Sequence, residues 1–129
     1  SVDGRTDRGI FMELISLHAP DYPDAEKAFH LLKEAYLVAL PETTVSNPGV
    51  TLPGVPQLID ALLNTHAGIG LATGNIQRGA ELKLTPHGLW DAFAAGGFGD
   101  DTDNRADLVA AGLANLVLCC CPKLAPLYR

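Results

Sequence analysis

The stretch Ile69–Asn75, Ile-Gly-Leu-Ala-Thr-Gly-Asn, holds the residues of this chain best suited to chemistry. A short apolar run ends in a hydroxyl residue, and a Gly-Asn turn follows. In open α/β sheets, ligands bind beyond the carboxyl ends of the strands, where Thr73 is expected to sit. Its hydroxyl and the N–H groups of Gly74 and Asn75 can converge on an anion, because glycine lets the main chain approach closely. A plain β-turn-α connection with Thr73 as a helix N-cap is the other reading of the same residues.

The remaining chemistry-bearing residues point to less. Cys119, Cys120 and Cys121 are consecutive, which suits neither a disulfide framework nor a zinc site. They are read as reduced thiols in a cysteine-rich tail, and acylation has only weak support. His18, His30, His66 and His87 have no metal spacing to one another. Trp90 and Phe93 are expected to be packing anchors.

For Thr73 to stand at a strand end, the flanking sequence must build a sheet layer, and its pattern fits one. Ile10, Leu14 and Leu17 fall at helical spacing with Phe11 and Ile15 beside them, which predicts a helix over 8–18. Pro20 to Pro23 breaks it, and Asp24 starts a second helix as N-cap or first-turn acid. Pro41 is expected to stop that helix, leaving 41–56 as a linker rich in Pro, Gly, Thr, Ser and Asn. A third helix is predicted over 56–64, with Pro56 in its first turn. Then come a strand at 68–73, a helix at 77–87 weakened at Thr85-Pro86, a strand at 94–98, a loop at 100–104 and a helix at 105–116. Val117–Cys121 is predicted as a third strand. Strand and helix in alternation predict an α/β fold with a parallel sheet.

Composition sets the bounds. A chain of 129 residues with 47% hydrophobic and 19% charged residues is expected to form one soluble domain. A net charge of -6 argues against broad nucleic-acid binding, which needs a basic surface. No apolar run reaches the roughly 18 residues that span a bilayer, so no membrane partner is expected. The polar, charged start Ser1–Arg8 reads as no secretory leader, and a cytoplasmic location is expected.

Five segments in order carry a resemblance. They are Leu-Pro-Gly-Val-Pro-Gln-Leu-Ile (52–59), the strand ending Thr-Gly-Asn (73–75), the helix after it, Gly-Leu-Trp-Asp-Ala-Phe (88–93) and Gly-Gly-Phe-Gly-Asp-Asp (96–101). From Val50 to Leu113 the chain resembles the haloacid dehalogenase-like (HAD) hydrolases, in particular the phosphoglycolate-phosphatase-like group. The resemblance implies a partial Rossmann-like core over 49–129, with a helical cap fragment over 1–48. It implies a Mg2+-dependent phosphatase acting on a small phosphorylated substrate. In such enzymes an aspartate attacks phosphorus, a second acts as general acid/base, and a hydroxyl and a cation hold the phosphate. Thr73 matches that hydroxyl, with Gly74 and Asn75 beside it. Arg105, after the Gly-Asp-Asp loop, is the first choice for the cation, and Lys83 the second. Arg5, Thr6 and Asp7 match the start of the cap and are expected to face substrate. Their plain reading is a helix N-cap at Thr6 or Asp7.

At both ends the chain departs from the family pattern. The first motif, Asp-x-Asp-Gly-Thr after an apolar strand, has only Ser1-Val2-Asp3-Gly4-Arg5-Thr6 to meet it. Ser1 stands at the nucleophile position, no apolar strand precedes it, and Asp3 is at most an acid/base candidate. No acidic residue follows Leu113, so the metal motif is unmet. Asp100, Asp101 and Asp103 are substitute ligands at best, and they do not fit a calcium loop. The expected outcome is weak or absent phosphatase activity. The rival expectation is a catalytically silent fragment that associates with itself or another chain through open sheet edges.

Overall fold

The computed structural model of the chain describes residues 4–100 and 102–121. Asp3 and Asp101 therefore lie outside the described residues.

Helix α1 (Asp7–His18) starts at Thr6, whose hydroxyl accepts from the Gly9 N–H at 3.1 Å. Helix α2 (Ala25–Ser46) starts at Asp24, whose carboxylate accepts from the Lys27 N–H at 3.0 Å. Each cap satisfies one of the orphan donors of a helix start. The two helices pack through Phe11, Ile15 and Phe29, and the face of α1 carrying Leu14 and Leu17 is exposed.

Pro41 does not stop α2, which runs five residues beyond it to Ser46, so only the remainder of the expected linker is irregular. Proline removes one helix donor. The buried Leu40 next to it packs against α4 (Gln77–Leu84) beside Gly79 and anchors the turn. Past the proline, the hydroxyls of Thr43, Thr44 and Ser46 donate back to the carbonyls of Ala39, Leu40 and Glu42.

Helix α3 (Val55–Asn64) follows Gly54, whose φ of 86° is a left-handed conformation open to glycine. Although amphipathic, α3 has no buried residue, and Leu58, Leu62 and Leu63 face outward. Strand β1 (Gly70–Ala72) pairs in parallel with β2 (Ala95–Gly97), with Leu71 opposite Gly96. The fold is thus mixed helix and a small parallel sheet, of the α/β kind. The expected helix over 77–87 is α4 followed by a tight 3-10 turn at Thr85–His87, with the break where Thr85-Pro86 predicts it. A second such turn, Trp90–Ala92, sets Trp90 against Phe98 with ring centroids 6.1 Å apart.

Helix α5 (Arg105–Cys120) replaces the predicted third strand at Val117–Cys121. Asn104 caps its start, and Leu108, Gly112 and Leu116 recur every four residues along the face laid on the sheet. An apolar run that continues a packed helical face stays helical, because each further residue adds a backbone bond at little cost. Gly97 and Gly112 let the two backbones touch: a Cβ on Gly97 would lie 2.0 Å from the Leu108 carbonyl oxygen.

Candidate functional site

The loop Thr73–Ile76 leaves β1 and enters α4 under a clasp of main-chain contacts. The Asp7 N–H donates to the Gly74 carbonyl at 2.6 Å, and the Gly99 N–H to the Asn75 carbonyl at 2.8 Å. The contact is close enough to require glycine. A Cβ on Gly74 would lie 2.4 Å from the Arg5 carbonyl oxygen, and one on Gly99 2.0 Å from that of Gly74. Ile76 is fully buried and joins Phe11, Ile15 and Phe29 in one apolar cluster, so the loop is anchored in the helical half of the chain.

Thr73 does not cap α4; the N-cap position falls three residues later, at Ile76. The Thr73 oxygen instead accepts twice from Asn75, from its N–H at 3.2 Å and its side-chain amide at 2.9 Å. The Asn75 amide oxygen in turn accepts from the Lys83 ammonium at 2.6 Å. That ammonium also lies 5.8 Å from the centre of the Tyr36 ring, within cation–π range.

The structure therefore joins Lys83, not the first-choice Arg105, to Thr73 and Asn75. Arg105 stands at the exposed first position of α5, and among the described residues its guanidinium has no ion-pair partner. The reason is helical geometry: Lys83 lies on the second turn of α4 and its long stem reaches back toward the loop.

Of the residues expected to face substrate from the cap, Thr6 and Asp7 are engaged in the fold. Thr6 is fully buried as the α1 cap. The Asp7 carboxylate crosses to the start of α4 and accepts from the Ile76 N–H at 2.9 Å. Arg5 is exposed and pairs with Glu13, whose carboxyl is held below its usual pKa by that guanidinium. Asp100 likewise caps α4, accepting from the Gln77 N–H at 2.6 Å while Lys33 of α2 pairs with its other oxygen. Two of the N–H groups suited to an incoming anion thus already hold protein carboxylates. Asp103 is exposed, with its Cβ packed near Gly9.

No three His, Cys, Asp or Glu side chains converge among the described residues, and Asp7 and Asp100 already accept from N–H groups. Among the described residues, no group of side chains offers a ready-made set of ligands to a magnesium ion. An open cleft of about 510 Å³ lies along β2 and α5, lined by Gln77, Gly96, Phe98, Asp100, Asp107 and Asn115. Thr73 is not part of its wall.

The Cys120 thiol is not an activated nucleophile. Partial desolvation of Cys120, which sits against Gly68, and then the neighbouring Cys119 thiol raise its pKa. Its thiolate fraction at neutral pH is therefore below that of an ordinary cysteine. Alkylation of Cys120 by iodoacetamide at pH 7, followed by peptide mass spectrometry, is expected to run slower than that of free cysteine. A faster rate would contradict this environment.

Lys33, Gly99 and the N–H groups of Ile76 and Gln77 are site elements that the sequence reading did not pick out. Only Gly99 had a signal, the glycine-dense Gly96-Gly-Phe-Gly99. Comparison with protein families, with curated proteins and with solved structures finds no match to this chain.

Proposed function

We propose that the chain is a phosphate-binding HAD-like protein of the phosphoglycolate-phosphatase-like kind, with the Thr73 hydroxyl as a hydrogen-bond donor to phosphate. The observation that carries the reading is the Thr73 hydroxyl at the carboxyl end of β1, its oxygen filled by Asn75 and its proton without an acceptor among the described residues. The order of segments from Val50 to Leu113 supports it. Gly74 lets the Arg5–Thr6 main chain pass closely beside that hydroxyl, and Lys83 holds the Asn75 side chain against it. Arg105 remains a candidate for a ligand that extends beyond the loop.

Catalysis by this sequence alone is expected to be weak or absent, because no aspartate stands in the nucleophile context Asp-x-Asp-Gly-Thr. Loss of a covalent nucleophile costs several orders of magnitude in rate. The test is an assay with p-nitrophenyl phosphate and Mg2+, together with titration of inorganic phosphate against the amide signals of residues 73–75. The expected result is amide shifts without turnover. Turnover of about 1 per second that Asp3→Asn abolishes would place the nucleophile motif at Ser1–Thr6 and overturn the alignment.

A second reading is favoured by a separate observation. In a parallel ladder alternate residues bond to one neighbour, so Gly70 and Ala72 of β1 present their backbone groups away from β2. Among the described residues no strand pairs there, and α3 exposes its apolar face. A silent binding module that associates through this edge fits those facts. A monomeric mass by light scattering at high concentration would count against self-association.

A further inference from the structure

The contacts of Lys83 and Asn75 specify more than positive charge near the loop. An ammonium has protons to give and no lone pair to offer, so the Asn75 side chain must turn its oxygen toward Lys83. With the oxygen committed, the amide nitrogen can only face Thr73, to which it donates at 2.9 Å. The Asn75 backbone N–H donates to the same oxygen at 3.2 Å. A hydroxyl has two acceptor lone pairs and one proton. Both lone pairs of Thr73 are thereby used, and no described residue accepts its proton. With both lone pairs filled, the hydroxyl can act further only as a donor.

We propose that Lys83 and Asn75 are positioning residues that lock the Thr73 hydroxyl as a hydrogen-bond donor, so that the loop selects an acceptor-only oxyanion. Lys83 acts through Asn75 and not on the ligand. Its ammonium is held between the Asn75 oxygen and the Tyr36 ring of α2. A group that can only donate, such as an ammonium, finds no acceptor on Thr73. This inference rests on the phosphate-loop reading and extends it by assigning the work of each residue.

The test uses the whole chain, 15N-labelled, with inorganic phosphate as probe. Four proteins are compared: wild type, Asn75→Ala, Lys83→Met and the double variant. If both residues serve one relay, each single variant weakens phosphate binding about tenfold, and the double variant is no weaker than either. Lys83→Arg, which keeps a donor for the Asn75 oxygen, recovers most of the loss. Losses that multiply in the double variant would show that Lys83 acts on the anion itself and would overturn the relay. So would single variants that bind like wild type. The Asn75 side-chain amide protons give a reading that needs no ligand. They are expected to exchange slowly in wild type and faster in Lys83→Met, and unchanged exchange overturns the relay. Failure of wild type to bind phosphate at all overturns the phosphate-loop reading instead, and the amide-exchange result then decides the relay separately.

Discussion

Gly97→Ala is expected to destabilise the chain by about 3 kcal/mol or more, read as a lowered urea midpoint by circular dichroism. The added methyl would sit 2.0 Å from the Leu108 carbonyl oxygen and 2.8 Å from the Gly112 nitrogen. Both obstacles are main chain, so no side-chain rotation relieves them. Either α5 must lift from β2 or the Gly70–Ala95 register must shift. Gly88→Ala is the matched control. Gly88 has a φ of 68° but open space around it, so its variant carries backbone strain alone, about 1 kcal/mol. Equal midpoints for the two variants would mean that α5 and β2 do not touch backbone to backbone.

Phe29→Ala is expected to cost about 3–5 kcal/mol, the range for emptying a buried aromatic site. Phe29 is 1% exposed and its ring lies 6.1 Å from that of Phe11, with the Arg8 guanidinium 4.7 Å from its centre. The cavity would open beside Ile76, so the effect should not stay within the helices. Hydrogen exchange of the Gly74–Gln77 amides is expected to speed up along with that of α1. Leu31→Ala, at a position 51% exposed on the same helix, should cost well under 1 kcal/mol. A Phe29→Ala protein whose loop amides stay as protected as in wild type would detach the loop from this core.

Local features were legible in the sequence where short-range chemistry decides them. Asp24 reads as a helix start because a carboxylate three residues before an N–H is a cap in any context. The strand ending at Thr73 reads from its apolar run bounded by Gly-Asn. Spacing marked α1 as a helix but could not say which side is covered. Phe11 and Ile15 are buried while Leu17 is 66% exposed, because α2 and Ile76 approach from one side only. Pro41 and the cysteine run misled for related reasons. A helix already anchored by Leu40 tolerates a proline, and an apolar run carrying β-branched Val117 fits strand or helix until a packing face chooses.

The candidate site was half legible. Thr73, Gly74 and Asn75 are adjacent in sequence, and their chemistry follows from that adjacency. Lys83 was the second choice because its role depends on a reach back along α4, not on a motif. Asp7 and Ile76 are 69 residues apart, and Lys33 and Asp100 are 67 apart. No periodicity or spacing encodes such pairings. They exist because the start of α4 offers unpaired N–H groups that a carboxylate satisfies.

Those two carboxylates have a thermodynamic consequence. Asp7 ties α1 to the α4 start, and Asp100 ties the same start to Lys33 on α2. Ile76 lies in the helical core between them. Helices α1 and α2 cannot release the start of α4 without exposing Ile76 and stripping helix-end donors of their partners. Helices α1, α2 and α4 are then expected to melt together, with circular dichroism and the exchange of the Ile76 and Gln77 amides giving one midpoint.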